Sequence, residues 1–505
     1  MGVARSQWLL GAGLLASLAL HVWSLVRFPV PFVDEAWLTS RAWAFIQTGR
    51  QLGPLDIGLA DRYEGAWTVN QWLITFLHSL SLRLFGSPVL VATRAVSLLF
   101  GLVLLAAVYS IANRLGSRPF AWLSALLVSV SLPFIYSSHL ARYDIVAAAF
   151  GFMAIAFCLE RRGFWTGLLS GLCVGLAFET HLYGVIYVPV ILALYFWDDR
   201  WTMFRRTDFW GSVVGWMIGA LWYAALHLLP YPQTYAAISR LAFDTTRTPP
   251  ILTFDWREMV NAMSGMGWLL VVLYHLLLVV IVVAVVVLLR RRTQQDQKLL
   301  VLSAVLVLAH TFVVRNKFAF YAILVTPALD MLAAAFLFDF FRQPWQGRPR
   351  DYVARILVGG LVAGAIVINW SFVSADGSRI YQATQNKINQ AVRPGDSIMG
   401  TQVYWFGLQD HKYYSWELLL LYQNYAPGST LADAFNEFRP DIFVMDGHLS
   451  HMIADLDPQS EMYRKHMKIA RADLEAFLNR RAQLVDTFDG GSYGDIRVYR
   501  INWKE

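Results

Sequence analysis

Cysteine is nearly absent from this chain. Cys158 and Cys173 are the only two among 505 residues, and both fall inside long apolar runs, which excludes a disulfide framework for any exposed part. Charge is scarce as well: Asp, Glu, Lys and Arg make up 15% of the sequence against 57% apolar residues. A soluble domain of this length has no need of so much apolar surface, whereas repeated spans of about 20 residues do. No internal repeat is found, which argues against an inverted-repeat transporter architecture. The net charge of +7 sits mostly on arginines in short loops between apolar runs, so it is not a nucleic-acid signal.

What is present is a series of membrane-length runs. Arg5 precedes an apolar stretch from Trp8 to Val26 that is long enough to span and ends in a poor cleavage site, so it reads as an uncleaved first span. Hydropathy predicts about eleven spans, near 8–26, 93–113, 119–137, 144–159, 164–180, 183–197, 209–229, 267–289, 299–314, 318–341 and 354–373. Threaded in order, they place Arg5, Arg114/Arg118, Arg161/Arg162, Arg200/Arg205/Arg206, Arg290–Arg292 and Arg342/Arg348/Arg350/Arg355 on one side. By the positive-inside rule that side is the cytoplasm. The stretch 66–85 is also apolar, but counting it as a span would put Arg114 and Arg118 outside; its Gln71, Thr75, His78 and Ser79 oppose Trp72, Phe76 and Leu80, which suits a helix in the outer interface. A short helix is expected over 35–48, started by Asp34 and stopped by Gly49.

The predicted fold class is therefore a polytopic α-helical membrane protein, with residues 1–373 forming the transmembrane part and 374–505 a small extracytoplasmic α/β domain. The first external loop, from about 27 to 92, is long and structured, and the loop 231–266 also faces outward.

Polar groups gather on the outer face in this threading. Asp34 and Glu35 are followed by Arg62, Tyr63 and Glu64, then His139, Arg142, Tyr143 and Asp144, then Glu179, His181 and Tyr183, and finally Arg315, Lys317 and Tyr321. Ionisable groups are costly near hydrocarbon, so such a gathering is either paired for stability or lines a cavity. A carboxylate that deprotonates a hydroxyl, with cations that hold a departing phosphate, is what transfer from a membrane-bound donor requires. Each member has a plainer reading. Asp34 and Glu35 suit a helix start, Arg142 and Asp144 an interfacial ion pair, and Arg315 and Lys317 snorkelling anchors. His181 and Glu179 read as helix-end groups, since no second His or Cys lies at metal-ligand spacing. Asp330, near the middle of a predicted span, costs about 3 kcal/mol there unless it faces other helices or is protonated.

The ordered motifs "DEAW", "RYEG", "RLFG…ATRAVSLLFGLVL", "HLARYD", "GLLSGLCVGLAFETHLYG" and "KFAFYAILVTPAL" resemble the GT-C glycosyltransferases of the protein O-mannosyltransferase and lipid A aminoarabinose transferase group, over roughly residues 1–340. The resemblance implies inverting sugar transfer on the outer face, from a polyprenyl-phosphate sugar to a hydroxyl of a protein, glycan or lipid. It casts Asp34 as the catalytic carboxylate of the first loop, with Glu35 its neighbour and Asp144 the second acidic position. Lys317 matches the basic residue before the Tyr…Pro span, and Tyr63 and Glu64 the aromatic-acidic pair. Two lysines of the lipid A enzymes are missing: Gly65-Ala66 stands for Lys-Pro, and Glu179-Thr180-His181 for Thr-Lys-Gly. Arg62, Arg142, Arg315 or His181 would then hold the donor phosphate, with His181 and Tyr321 among the substrate-binding residues.

On this reading no cofactor is required, a divalent cation is optional, and the partners are a lipid-linked sugar, membrane lipid and a hydroxyl acceptor. The expected location is the plasma membrane, with site and C-terminal domain extracytoplasmic. Two rivals stand beside it. A lipid-linked sugar transporter or flippase would need polar groups at the midplane, and the missing lysines leave room for an inactive scaffold.

Overall fold

The computed structural model describes residues 3–59, 61–245, 268–314, 319–342, 377–454 and 471–504, with scattered positions between 352 and 373. By contacts the chain divides into two compact units. One comprises Met1–Leu25, Ser97–Tyr223 and Pro249–Ala375; the other comprises Val26–Val96, Ala224–Thr248 and Asp376–Glu505.

The first unit is helical. Helices stand at several of the positions where hydropathy places spans, among them Leu90–Leu115, Asp144–Glu160, Phe164–Thr180, Thr207–Tyr223 and Gln294–Val313, while the span expected at 354–373 lies mostly outside the described residues. Among the described residues four segments are long and apolar enough to cross a membrane outright: Leu90–Leu115, Leu182–Arg205, Thr207–Leu228 and Gln294–Val313. The stretch 119–137, expected as one span, is two helices, Arg118–Val130 and Leu132–His139, bent by 62°. Pro133 explains the break, because it has no N–H to give the Ser129 carbonyl one turn back. That carbonyl takes a ring nitrogen of His21 instead, at 2.8 Å. Asp330, which had no identifiable partner in sequence, is in hydrogen-bond contact with Ser131 at the same break. The glycine-rich run packs helix Phe164–Thr180 directly on Thr207–Tyr223: a Cβ at Gly171 would lie 2.2 Å from the Ser212 carbonyl oxygen. Several of the loop arginines are paired, Arg161 with Asp198 at 3.0 Å and Arg206 with Asp208 at 2.8 Å.

The second unit is built on a five-stranded sheet of order β2-β1-β3-β5-β4. The strands are β1 (Ile398–Gly400), β2 (Tyr413–Ser415), β3 (Ile442–Met445), β4 (Ala482–Asp489) and β5 (Asp495–Ile501). β1 pairs in parallel with β2 and β3, while β5 runs antiparallel to β3 and β4. Apolar side chains cover both faces, as a sheet with helices on each side requires. One layer holds Phe435, Phe443 and Phe477 together with Leu59; the other holds Tyr404, Val444 and Tyr493 together with Ala36 and Leu55. Leu59, Ala36 and Leu55 come from the first external loop, so that loop and the C-terminal residues share one core.

Within that loop a helix runs from Val33 to Thr48. Its N-cap is Phe32, not Asp34, and the Phe32 N–H is satisfied by the Glu35 carboxylate at 2.9 Å. Gly49 ends it in the left-handed conformation, φ 72°, with its N–H on the Phe45 carbonyl. A second helix, Trp72–Phe85, turns its polar side inward: Thr75, His78 and Ser79 are buried, and Ser79 Oγ donates to the Ala42 carbonyl at 3.3 Å. Phe76, Leu80, Leu84 and Phe85 face out, from 45% to 87% exposed. An apolar outer face suits contact with lipid at an interface.

Candidate functional site

One member of the acid pair at the start of helix Val33–Thr48 is held by an arginine. Glu35 is fully buried beside fully buried Arg94. Arg94 donates Nε to Oε1 and Nη2 to Oε2 of Glu35, both at 2.8 Å, a two-pronged contact that fixes geometry as well as charge. Nη2 of Arg94 also reaches the Pro29 carbonyl at 2.9 Å. Glu35 therefore anchors the helix start, and its neighbour Asp34 lies half-buried in the same first turn. Arg94 was not among the expected site residues, although an arginine inside an apolar helix signals a buried partner.

The "RYEG" segment is held on the C-terminal residues of the same unit. Arg62 pairs with Glu437 at 3.0 Å and lies over the rings of Tyr422 and Phe438, at 5.3 and 5.8 Å. Its guanidinium thus has an anionic partner at a part-exposed position. Tyr63 is half-buried and Glu64 exposed. The glycine that replaces the family's lysine is required here. Gly65 has φ 73°, and a Cβ on it would lie 2.1 Å from the ring of Tyr231.

In the other unit, Arg142 and Asp144 come together. Helix Asp144–Glu160 begins at Asp144, and its carboxylate accepts from Arg142 Nε at 2.8 Å, with both side chains 2% exposed. The guanidinium lies 3.7 Å from the Phe320 ring centre and 4.9 Å from that of Tyr143, which compensates part of its desolvation. Asp144 Oδ1 has no hydrogen-bond partner among the described residues. His181 joins the group, its ring 4.6 Å from Tyr143, 4.5 Å from Tyr183 and 5.3 Å from Tyr321. Burial, reinforced by the Arg142 charge, pushes His181 down to about 3, so it is neutral. The Tyr183 N–H donates to His181 Nδ1 at 3.1 Å, which leaves the ring proton on Nε2 as a donor. One guanidinium, one imidazole N–H and three phenols make a donor-rich group able to bind phosphate or hydroxyl oxygens. Lys317 and Arg315 lie outside the described residues.

Among the described residues no three His, Cys, Asp or Glu side chains group as metal ligands. Glu35 and Asp144 each face a guanidinium that competes with a cation for the same oxygens.

A family model for dolichyl-phosphate-mannose-protein mannosyltransferase matches residues 70–224. No curated protein sequence matches the chain. Among solved structures, ArnT from Cupriavidus metallidurans bound to undecaprenyl phosphate superposes with a TM-score of 0.63 at 15% identity, covering 97% of both chains. This chain has the GT-C glycosyltransferase fold. The Archaeoglobus fulgidus oligosaccharyltransferase AglB, in complex with an inhibitory peptide and a dolichol-phosphate, superposes at 0.56 and 14% identity, covering 88% of this chain and 70% of that one. The GT-C likeness thus extends from the apolar helices through the C-terminal sheet.

Proposed function

We propose that this protein is an inverting glycosyltransferase that moves a sugar from a polyprenyl-phosphate donor to an acceptor hydroxyl at the outer face of the plasma membrane. The observation that carries this reading is the fixed helix start: Glu35 is held in a two-pronged contact by Arg94, which positions the adjacent, half-buried Asp34 as general base. The GT-C fold and the lipid phosphates bound by ArnT and AglB support the donor class.

In the reaction, Asp34 accepts the proton of the acceptor hydroxyl as its oxygen bonds to the anomeric carbon. The bond from that carbon to the phosphate oxygen breaks, and its electron pair leaves with the polyprenyl phosphate. Attack opposite the leaving group inverts the configuration. Arg142, with Lys317 and Arg315, neutralises the departing phosphate, and Asp144 orients Arg142. His181, Tyr321, Tyr63 and Glu64 contact the substrates. Positive charge on these side chains is sufficient for a monophosphate leaving group, so a divalent cation remains optional. Residues 1–373 carry the transfer, and 374–505 support the first external loop.

Purified protein supplied with labelled lipid-phosphate sugar in detergent tests the reading, because transport has no meaning there. Turnover is expected, and its loss in Asp34→Ala at unchanged protein yield. A chain that binds the lipid but never turns it over would speak for a carrier or an inactive scaffold.

A further inference from the structure

We propose that Tyr493, in the turn between β4 and β5, is a positioning residue for the Asp34 carboxylate, so that the C-terminal sheet sets the reacting geometry. This rests on the assignment of Asp34 as base. Asp34 follows a non-helical approach, residues 27–32, and four of the hydrogen bonds on its backbone bear on this role. The Gly377 N–H donates to the Arg27 carbonyl at 3.0 Å, Arg94 to Pro29 at 2.9 Å, Tyr493 Oη to Pro31 at 3.1 Å, and Phe32 N–H to Glu35 at 2.9 Å. Two of the four donors belong to the C-terminal residues.

Tyr493 is itself tightly placed. It is buried, with its ring 5.7 Å from Tyr404 and 6.2 Å from Tyr381, and its turn is closed by the Gly490 N–H on the Gly494 carbonyl at 2.8 Å. At the other end a Cβ on Gly377 would come within 2.8 Å of Val30, so chain and approach segment are in van der Waals contact. Below them Ala36 and Leu55 are buried in the same cluster as Tyr404, Val444 and Tyr493. The helix bearing Asp34 therefore lies on the sheet, and Tyr493 holds a carbonyl three residues before the carboxylate. A displacement on the order of 1 Å at a reacting group costs about 100-fold in rate, so release of this one carbonyl is felt at Asp34.

The test uses full-length protein carrying Tyr493→Phe, which removes only the hydroxyl. The expected result is kcat lowered about ten-fold, donor KM within about two-fold, and a melting midpoint within about 2 °C of the parent. Tyr381→Phe is the control: it loses a bond of the same kind, to the Val403 carbonyl at 2.8 Å, without removing a hydrogen bond to residues 27–32, and should keep the parental kcat. Wild-type kcat in Tyr493→Phe overturns the proposal, as does an equal loss in both variants that tracks only the folded fraction. If Asp34→Asn is fully active, the assignment of the base fails first and this inference with it. If Asp34→Asn is inactive while Tyr493→Phe is normal, only the positioning role is lost.

Discussion

Glu35–Arg94 in one unit and Asp144–Arg142 in the other are both buried ion pairs with 2.8 Å contacts, yet their surroundings differ. The first is closed by backbone: the Phe32 N–H on the carboxylate and the Pro29 carbonyl on the guanidinium. The second is closed by rings, with Phe320 and Tyr143 against the guanidinium and one oxygen of Asp144 without a hydrogen-bond partner among the described residues. A pair satisfied by the main chain fixes that chain. A pair walled by aromatic groups leaves one carboxylate oxygen unsatisfied, which costs free energy in a low-dielectric surrounding.

The largest expected effect is at Asp34 itself. Asp34→Asn should lower transfer by about 100- to 10,000-fold with folding untouched. Next comes Arg94→Ala, which strands a buried carboxylate and should destabilise the protein by about 3–5 kcal/mol; thermal unfolding in detergent reads this, and a double variant Glu35→Leu with Arg94→Met should regain much of the loss. Arg142→Lys sharpens the contrast from the other side. It keeps the charge but not the planar contact with the rings, so donor binding should weaken about ten-fold while the melting midpoint moves little. Comparable destabilisation at Arg94 and Arg142 would erase the distinction.

Gly65 offers a smaller effect. Gly65→Ala should cost about 1–3 kcal/mol, because it sets a side chain at positive φ against the Tyr231 ring, and Tyr231→Ala in the same chain should recover the steric part. The smallest effect near neutral pH belongs to a buried histidine. Burial lowers His78 to about 3, below its ordinary 6.5, so the unfolded chain binds a proton that the folded one refuses. Stability is then unaffected by this group above pH 6.5 and declines as pH falls from 6.5 toward 3. His78→Gln should flatten that decline in a pH series of melting curves.

Hydropathy located the helices because apolar runs of membrane length leave few alternatives. It did not reveal the 62° break, although Pro133 was in plain view, because a window average ignores the missing N–H. The inward polar side of helix Trp72–Phe85 was hidden for a related reason: periodicity finds the two faces and does not say which is buried. The strand-like runs 396–408, 441–447 and 483–501 contain β1, β3, β5 and all of β4 but Ala482, whereas β2, Tyr413–Ser415, lies in none of them. At the site, adjacent carboxylates drew attention to Asp34 and Glu35, but the hold on Glu35 comes from Arg94, 59 positions away. Arg62 is a parallel case, since its charge suggested a phosphate and its neighbours Glu437, Tyr422 and Phe438 come from distant sequence.

The most direct measurement is single-turnover transfer from a labelled polyprenyl-phosphate sugar by purified full-length Asp34→Asn, alongside its melting curve. The account predicts a parental melting curve and transfer slowed by at least about 100-fold. Transfer at the parental rate would contradict it.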